Sequence, residues 1–425
     1  MYRAITRFGV ALTLVAAASF TPVAASPDTD GLDDLIDEIG RTMLARYPEE
    51  ATDLGLSSEL GLDDARLNDL SPAYMSETSA LAQDARDRLA EIEPKTLSAD
   101  ERITLAVTEW YLDDIVTMSG HADHEYPVNF ITGPHANLAE FMADIHPLES
   151  VDDAEAYVAR LDAAAGQLAQ VAEAVRRAEA AGNLPTDRGL GIASWQIGNQ
   201  VGPAMTHQLV LDFETRLDAL DLPLDERDRL TSAAREAVDD RVVPAYRDLA
   251  ATVKSAGSRS DSQPGVLHHP GGSDYYAAAL RHHLTSSHTP QAVHEIGLAG
   301  VERVVAELSG ALGELGFDTE QLGFARAIEN ASASVPAVPL RSDADRDVLL
   351  SATADFVADT QDAFAGMFTT RPAAAIDVRR PRPGREGGSG AYYRPPPAMG
   401  DRPGIYYLSL GGGAFPMDTY ATTNY

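Results

Sequence analysis

Ser150-Val-Asp-Asp-Ala-Glu-Ala-Tyr-Val-Ala-Arg-Leu-Asp-Ala-Ala-Ala-Gly-Gln-Leu-Ala-Gln-Val-Ala-Glu-Ala-Val-Arg-Arg-Ala-Glu-Ala-Ala-Gly182 settles the architecture. Ser150 with Asp153 caps its start, and Gly182 supplies the stop. Between them Ala154, Tyr157, Val158, Leu161, Leu168, Val171 and Val175 recur at helical spacing on one face. The alanine-rich middle suits close approach of a second helix, so the segment reads as an internal strut.

The same grammar extends outward in both directions. Toward the N-terminus, Leu32, Leu35, Ile36, Ile39, Met43 and Leu44 form a helical stripe that Pro48 is expected to end. Ser71-Pro72 opens a helix to about Ile92, and the capping box Ser98-Ala-Asp-Glu101 opens another to Ser119. Toward the C-terminus, a helix begins near Leu224-Asp-Glu226 and runs past Pro244, which should kink it. Thr289-Pro290 opens a helix with Val293, Ile296, Val301, Val304, Val305 and Leu308, and Ser342 to Phe368 carries one more.

Strand signals come late. Ala373 to Arg380, Ala391 to Arg394 and Ile405 to Leu410 are short β-prone runs separated by Pro/Gly-rich linkers, the last followed by Gly411-Gly-Gly413. The expected fold is therefore mainly α, a multi-helix array with a small antiparallel sheet near the C-terminus. Alternation places Tyr406 and Leu408 on one face of the last strand and Tyr407 and Ser409 on the other. The polar stretch Lys254 to Gly265 divides an N-terminal helical unit, 26–258, from a C-terminal unit, 266–425.

A chain of 425 residues, 44% hydrophobic and 23% charged, is too long for one core and too apolar for disorder. Met1 to Ser26 reads as an export signal: Arg3 and Arg7, an apolar run from Phe8 to Phe20, then Val23-Ala-Ala25 at the cleavage position. That run is shorter than the roughly 18 residues that span a bilayer. The protein is expected to be exported and soluble, periplasmic or extracellular, with no transmembrane segment after cleavage. Absence of cysteine excludes disulfides and thiolate metal sites. The net charge of -32, with Lys95 and Lys254 the only lysines, gives a surface that repels nucleic acid and anionic lipid and makes both poor partners.

Chemistry-bearing residues gather in Leu267-His-His-Pro-Gly-Gly-Ser-Asp-Tyr-Tyr-Ala-Ala-Ala-Leu-Arg-His-His283. With Ser273 as a cap, Tyr276, Leu280 and His283 share one helical face, which packs in a core, offers a phenol and an imidazole to a substrate oxyanion, or contributes to a metal site. His121-Ala-Asp-His124 is either a solvated loop or half of a metal site. His135 and His146, each beside a proline, read as packing groups. His294-Glu295 departs from H-E-x-x-H because Leu298 stands four residues on, and no G-x-S-x-G or phosphate loop is present.

The order of Tyr126-Pro-Val-Asn129, Gly133-Pro-His-Ala-Asn-Leu138, His146-Pro-Leu-Glu-Ser-Val-Asp-Asp-Ala-Glu-Ala-Tyr-Val-Ala-Arg-Leu161, Tyr275-Tyr-Ala-Ala-Ala-Leu-Arg-His-His283 with Thr289-Pro, and the final strand with its glycine loop resembles the bacterial family called domain of unknown function 885. The resemblance runs from about Gly31 to Tyr425. Members look like all-helical zinc peptidases, so it implies zinc and a peptide or peptide-like substrate. It also implies a metal helix, a His-Glu pair followed by Pro-Gly-His-His, placed where Thr422-Thr-Asn-Tyr425 stands. The chain is thus expected to be the front part of an exported zinc-dependent peptidase-like hydrolase, inactive by itself and without catalytic or metal-ligating residues of its own. The alternative is a non-catalytic helical binding or scaffold protein of the cell envelope. On the family's logic a peptide lies along Ile405 to Leu410 as an added strand, and Tyr276, His283, Tyr392, Tyr393, Tyr406, Tyr407 and Ser409 are the candidate substrate contacts.

Overall fold

The computed structural model describes residues 29–258, 260, 263, 265–335, 337–368, 373–381, 390–400, 402–411 and 414–416. The export signal lies outside them. The fold is mainly helical, with a small sheet near the C-terminus, and its contacts divide it into two units. The first holds Met1–Ala279 with Pro397–Gly400; the second holds Leu280–Pro396 with Asp401–Tyr425. No helix among the described residues is long and apolar enough to cross a membrane.

In the first unit, α1 (Thr29–Leu44) and α2 (Pro48–Asp53) precede α3 (Pro72–Leu89) and α4 (Ala99–Ser119). Pro48 opens α2 rather than merely ending α1, because a proline ring at the first helical position lacks only an N–H that has no partner there anyway. Ser71 and Ser98 cap α3 and α4 as their sequences require, Ser98 and Glu101 forming a reciprocal capping box. Leu32, Ile36, Ile39 and Met43 meet Leu89, Leu112 and Ile115 in one core.

The second core of this unit is organised by α6 (Val151–Ala181), which follows the short α5 (Pro134–Glu140). Gly182 ends α6 in the left-handed conformation at φ 78°. Beyond it come α7 (Asp187–Gly198), α8 (Gln208–Leu217), α9 (Leu224–Ala237) and α10 (Val243–Gly257), with α10 lying along both α6 and α7. Tyr157 stacks on Phe213 at 4.7 Å and donates its hydroxyl to the Leu209 carbonyl at 2.8 Å. Each such fully buried side chain contributes about 1.5–3 kcal/mol of transfer free energy. Pro244 produces no break: a five-residue π turn, Val238–Val242, joins α9 to α10 just ahead of it.

The helix α11 (Gly272–Leu284) starts in the first unit and ends in the second. The second unit continues with α12 (Pro290–Glu314), α13 (Thr319–Leu322), α14 (Phe324–Ser334) and α15 (Asp343–Ala363), the last opened by a Ser342–Asp345 capping box. Its strands are β1 (Ala337–Pro339), β2 (Ile376–Arg379), β3 (Ala391–Arg394), β4 (Gly404–Leu408) and β5 (Ala414–Pro416). The three-stranded sheet has the order β2-β4-β3, with β4 parallel to β2 and antiparallel to β3, so the sheet is mixed rather than wholly antiparallel. β1 and β5 form a separate antiparallel pair. α15 covers β2, and Leu349 joins Leu340, Leu408 and Leu410 in a small core.

Candidate functional site

Four of the candidate tyrosines are brought together by the β3–β4 register, which sets Tyr392 opposite Tyr407 and Tyr393 opposite Tyr406. Because side chains alternate across a strand, the two pairs occupy opposite faces of the ribbon. Tyr392 stacks on Tyr407 at 4.6 Å, and Tyr407 is only 1% exposed. Tyr406 packs against the small core with Leu408, whereas Tyr393 is 47% exposed. Burial raises the phenol pKa of both Tyr393 and Tyr406, partly offset at Tyr393 by Arg402, so both remain protonated hydrogen-bond donors at neutral pH.

A peptide cannot add to Ile405–Leu408, because β4 is the central strand and both of its edges are taken, by β2 on one side and β3 on the other. The backbone of β3 offers the alternative. Ser409 N–H donates to the Gly390 carbonyl at 2.9 Å, which makes Gly390–Ser409 a hydrogen-bonded pair. Such pairs alternate along an antiparallel ladder, so the N–H and C=O groups of Ala391 and Tyr393 point away from β4. Among the described residues no strand pairs with that outer edge. The Tyr393 hydroxyl lies across the ladder where a Cβ at position 404 would stand, 2.1 Å from it, which is why Gly404 carries none.

Tyr276 and His283 lie on α11, both exposed and seven residues apart. Ser273 sits inside the first turn of α11, one residue past its start, instead of preceding it as a cap. His282 beside them is buried. Ser409 is half-buried at the end of β4. The structure therefore gathers the four sheet tyrosines and Ser409 and leaves Tyr276 and His283 on a separate helix.

Two histidines of the first unit, His124 and His269, act as hydrogen-bond struts. His124 stacks on Tyr275 at 5.1 Å and donates from Nε2 to the Pro270 carbonyl at 2.7 Å. His269 donates from Nδ1 to the Gly182 carbonyl at 2.9 Å and accepts at Nε2 from the Tyr126 hydroxyl at 3.3 Å. The His121–His124 loop is thus tied to the Leu267–Tyr276 segment. Zinc needs three or four ligands converging at about 2.0–2.2 Å. Among the described residues no group of three or more His, Asp or Glu side chains is placed to hold a metal ion.

One polar centre had no signal in the sequence beyond lying within the His146–Leu161 motif. Arg160, fully buried on α6, donates to the Arg66 carbonyl at 3.0 Å, to Thr52 Oγ1 at 2.6 Å and to His146 Nδ1 at 2.6 Å. Asp64 lies at 3.3 Å and supplies the counter-charge. The opposite ring nitrogen of His146 donates to the Asp153 carbonyl at 2.9 Å, which fixes the neutral tautomer. Burial and the Arg160 charge push His146 down to about 4 from its ordinary 6.5. Its contribution to folding is therefore complete above pH 6.5 and is lost as pH falls toward 4, a difference of about 3 kcal/mol.

Glu50 carries the opposite sign: burial and the neighbouring Glu49 hold it up at about 8, so its contribution is complete below 4.5 and is lost as pH rises through 8. Thermal unfolding as a function of pH should accordingly show an acid limb between pH 6.5 and 4 that flattens in His146→Gln. An acid limb of unchanged steepness in that variant would assign it to other groups.

Comparison with known proteins bears on the whole arrangement. A family model described as bacterial protein of unknown function (DUF885) matches residues 48–425. A crystal structure described as "the putative lipoprotein from Colwellia psychrerythraea" is similar with a TM-score of 0.77 and 22% identity, covering 91% of this chain and 68% of that one. A second solved structure, described as that of "a putative lipoprotein of unknown function from Shewanella oneidensis", has a TM-score of 0.55 and 14% identity, covering 94% of this chain and 68% of that one. At these identities the likeness is one of fold. No curated protein matches.

Proposed function

The chain belongs to the bacterial family of unknown function DUF885, and from that premise we propose that it is an exported envelope protein that takes a peptide as an added strand on the outer edge of β3. In this reading it is the substrate-holding part of a zinc-dependent, peptidase-like hydrolase. The carrying observation is the sheet order, which leaves the outward N–H and C=O groups of Ala391 and Tyr393 without a strand partner among the described residues. Main-chain pairing of this kind gives affinity, and exposed Tyr393 stands beside it to select side chains. The description of both solved relatives as lipoproteins supports the envelope location.

In this reading this chain by itself is expected to bind a peptide and leave it intact. A non-catalytic binding or scaffold protein is the second reading, favoured by the use of His124, His146 and His269 as structural struts.

Fluorescence anisotropy with labelled extended peptides tests the proposal. Ala391→Pro removes one outward N–H and should weaken binding at least tenfold, with circular dichroism confirming the fold. Peptides N-methylated at alternate residues should lose binding to the unaltered protein by a similar factor. Equal affinity for methylated and unmethylated peptides would eliminate strand addition, and stoichiometric zinc accompanied by peptide cleavage would overturn the expectation that this chain does not cut.

A further inference from the structure

In sequence, the stretch from Arg371 to Arg402 holds seven arginines against Asp377, Glu386 and Asp401, a net charge of +4 inside a chain of net -32. It contains both β2 and β3 and ends just before β4. A protein this acidic collects basic segments through its overall field, and a local cationic excess reverses that preference at one place. At about 0.15 M salt, charges more than about 8 Å away are largely screened, so nearby arginines outweigh remote acids. The register sets two of these arginines beside the outer edge of β3. Arg394 is the last residue of β3, opposite Ile405 and on the same face as Tyr392. Tyr393 faces the other way, and Arg402 lies near enough to its phenol to counter part of the effect of burial there. The described acids nearest the sheet lie toward its other side. Asp377 on β2 pairs with Arg379 at 2.6 Å, Asp343 at the start of α15 pairs with Arg380 at 3.1 Å, and α15 packs on β2.

Resting on the reading that β3 receives an added strand, we propose that the peptide taken there is acidic, with one carboxylate side chain opposite Arg394 and a second on the adjacent residue, toward Arg402. In a ladder, residues directly opposite share a face with their Cβ atoms about 4.5–5.5 Å apart, so a side chain added opposite Arg394 meets its guanidinium. The next residue of the added strand stands opposite Tyr393, on the face that Arg402 attends. Opposite charges facing each other across a ladder stabilise it, and like charges destabilise it. Main-chain pairing thus supplies affinity for any extended segment, and the two arginines choose among segments by charge.

The test uses the full chain and labelled extended peptides, acetylated and amidated so that only side chains carry charge, with Glu-Glu, Gln-Gln or Lys-Lys placed at each pair of adjacent positions in turn. At about 0.15 M salt the best Glu-Glu peptide should bind at least fivefold more tightly than its Gln-Gln counterpart, and the Lys-Lys peptide most weakly. Raising the salt to 1 M, where charges are screened over about 3 Å, should bring the three together. Arg394→Gln should remove most of the preference for Glu-Glu, and Arg394→Glu should invert it in favour of Lys-Lys, an inversion that a merely structural role cannot give. Arg402→Glu, at a position outside the strands, repeats the inversion should Arg394→Glu disturb β3. A uniform loss of all three affinities in both charge-reversed variants overturns the proposal. Equal affinity of the unaltered protein for the three versions, with N-methylation still abolishing binding, also overturns it and leaves strand addition standing. Binding of no version overturns both.

Discussion

Arg160→Ala is expected to cost about 3–5 kcal/mol, the largest single effect in the first unit. The guanidinium is buried and joins four groups: the Arg66 carbonyl, Thr52, His146 and Asp64. Truncation leaves those acceptors facing a cavity, and it leaves Asp64, at 27% exposure, without its cation. The positions it links, 52 to 66 and 146 to 160, are far apart in the chain, so their loss opens the packing of α2 against α6. Arg160→Lys should recover little, because a single ammonium cannot satisfy partners arranged around a planar fork. Urea unfolding followed by far-UV circular dichroism checks this; a loss below about 1 kcal/mol for the alanine variant would show that the network is dispensable.

The second large effect concerns Gly55. Its φ of +70° is one that side chains adopt at a cost of about 1–2 kcal/mol, and a Cβ there would fall 2.0 Å from the Met399 carbonyl oxygen. The neighbouring Met399 N–H donates to the Leu54 carbonyl at 3.0 Å, so Pro397–Gly400 is held to the first unit by this close approach. Gly55→Ala should destabilise by about 2 kcal/mol or more and free that segment. Limited proteolysis is the direct readout: cleavage near Met399 should accelerate at least tenfold, and an unaltered cleavage rate would mean that the segment is anchored elsewhere.

Much of the helical frame was legible because caps and stops are local. Ser98 with Glu101, Ser150 with Asp153, and Gly182 specify their helix ends through contacts within a few residues, and the structure makes those contacts. The failures are non-local. Nothing near Ile405–Leu410 announces that β2 will pair with β4 in parallel, yet that pairing turns an expected edge strand into a central one. Ala337–Pro339 is three residues long, with a partner at Ala414–Pro416, too short for alternation to mark it. Burial of Arg160 depends on Thr52 and Asp64, about a hundred positions upstream. On α12 the apolar face was plain in the sequence, but periodicity says that a face seeks cover and is silent about what supplies it.

The π turn at Val238–Val242 fits one more residue into a turn than an α-helix would. Everything after it is therefore rotated by roughly 100° relative to an uninterrupted continuation of α9. Tyr246 comes round beneath α5 by that rotation and donates its hydroxyl to the His135 carbonyl at 2.9 Å. Leu249 and Val253 take their inward positions in the same phase. The extra residue thus works as a gear tooth: it accommodates the ring of Pro244 and at the same time sets which side of α10 engages the core.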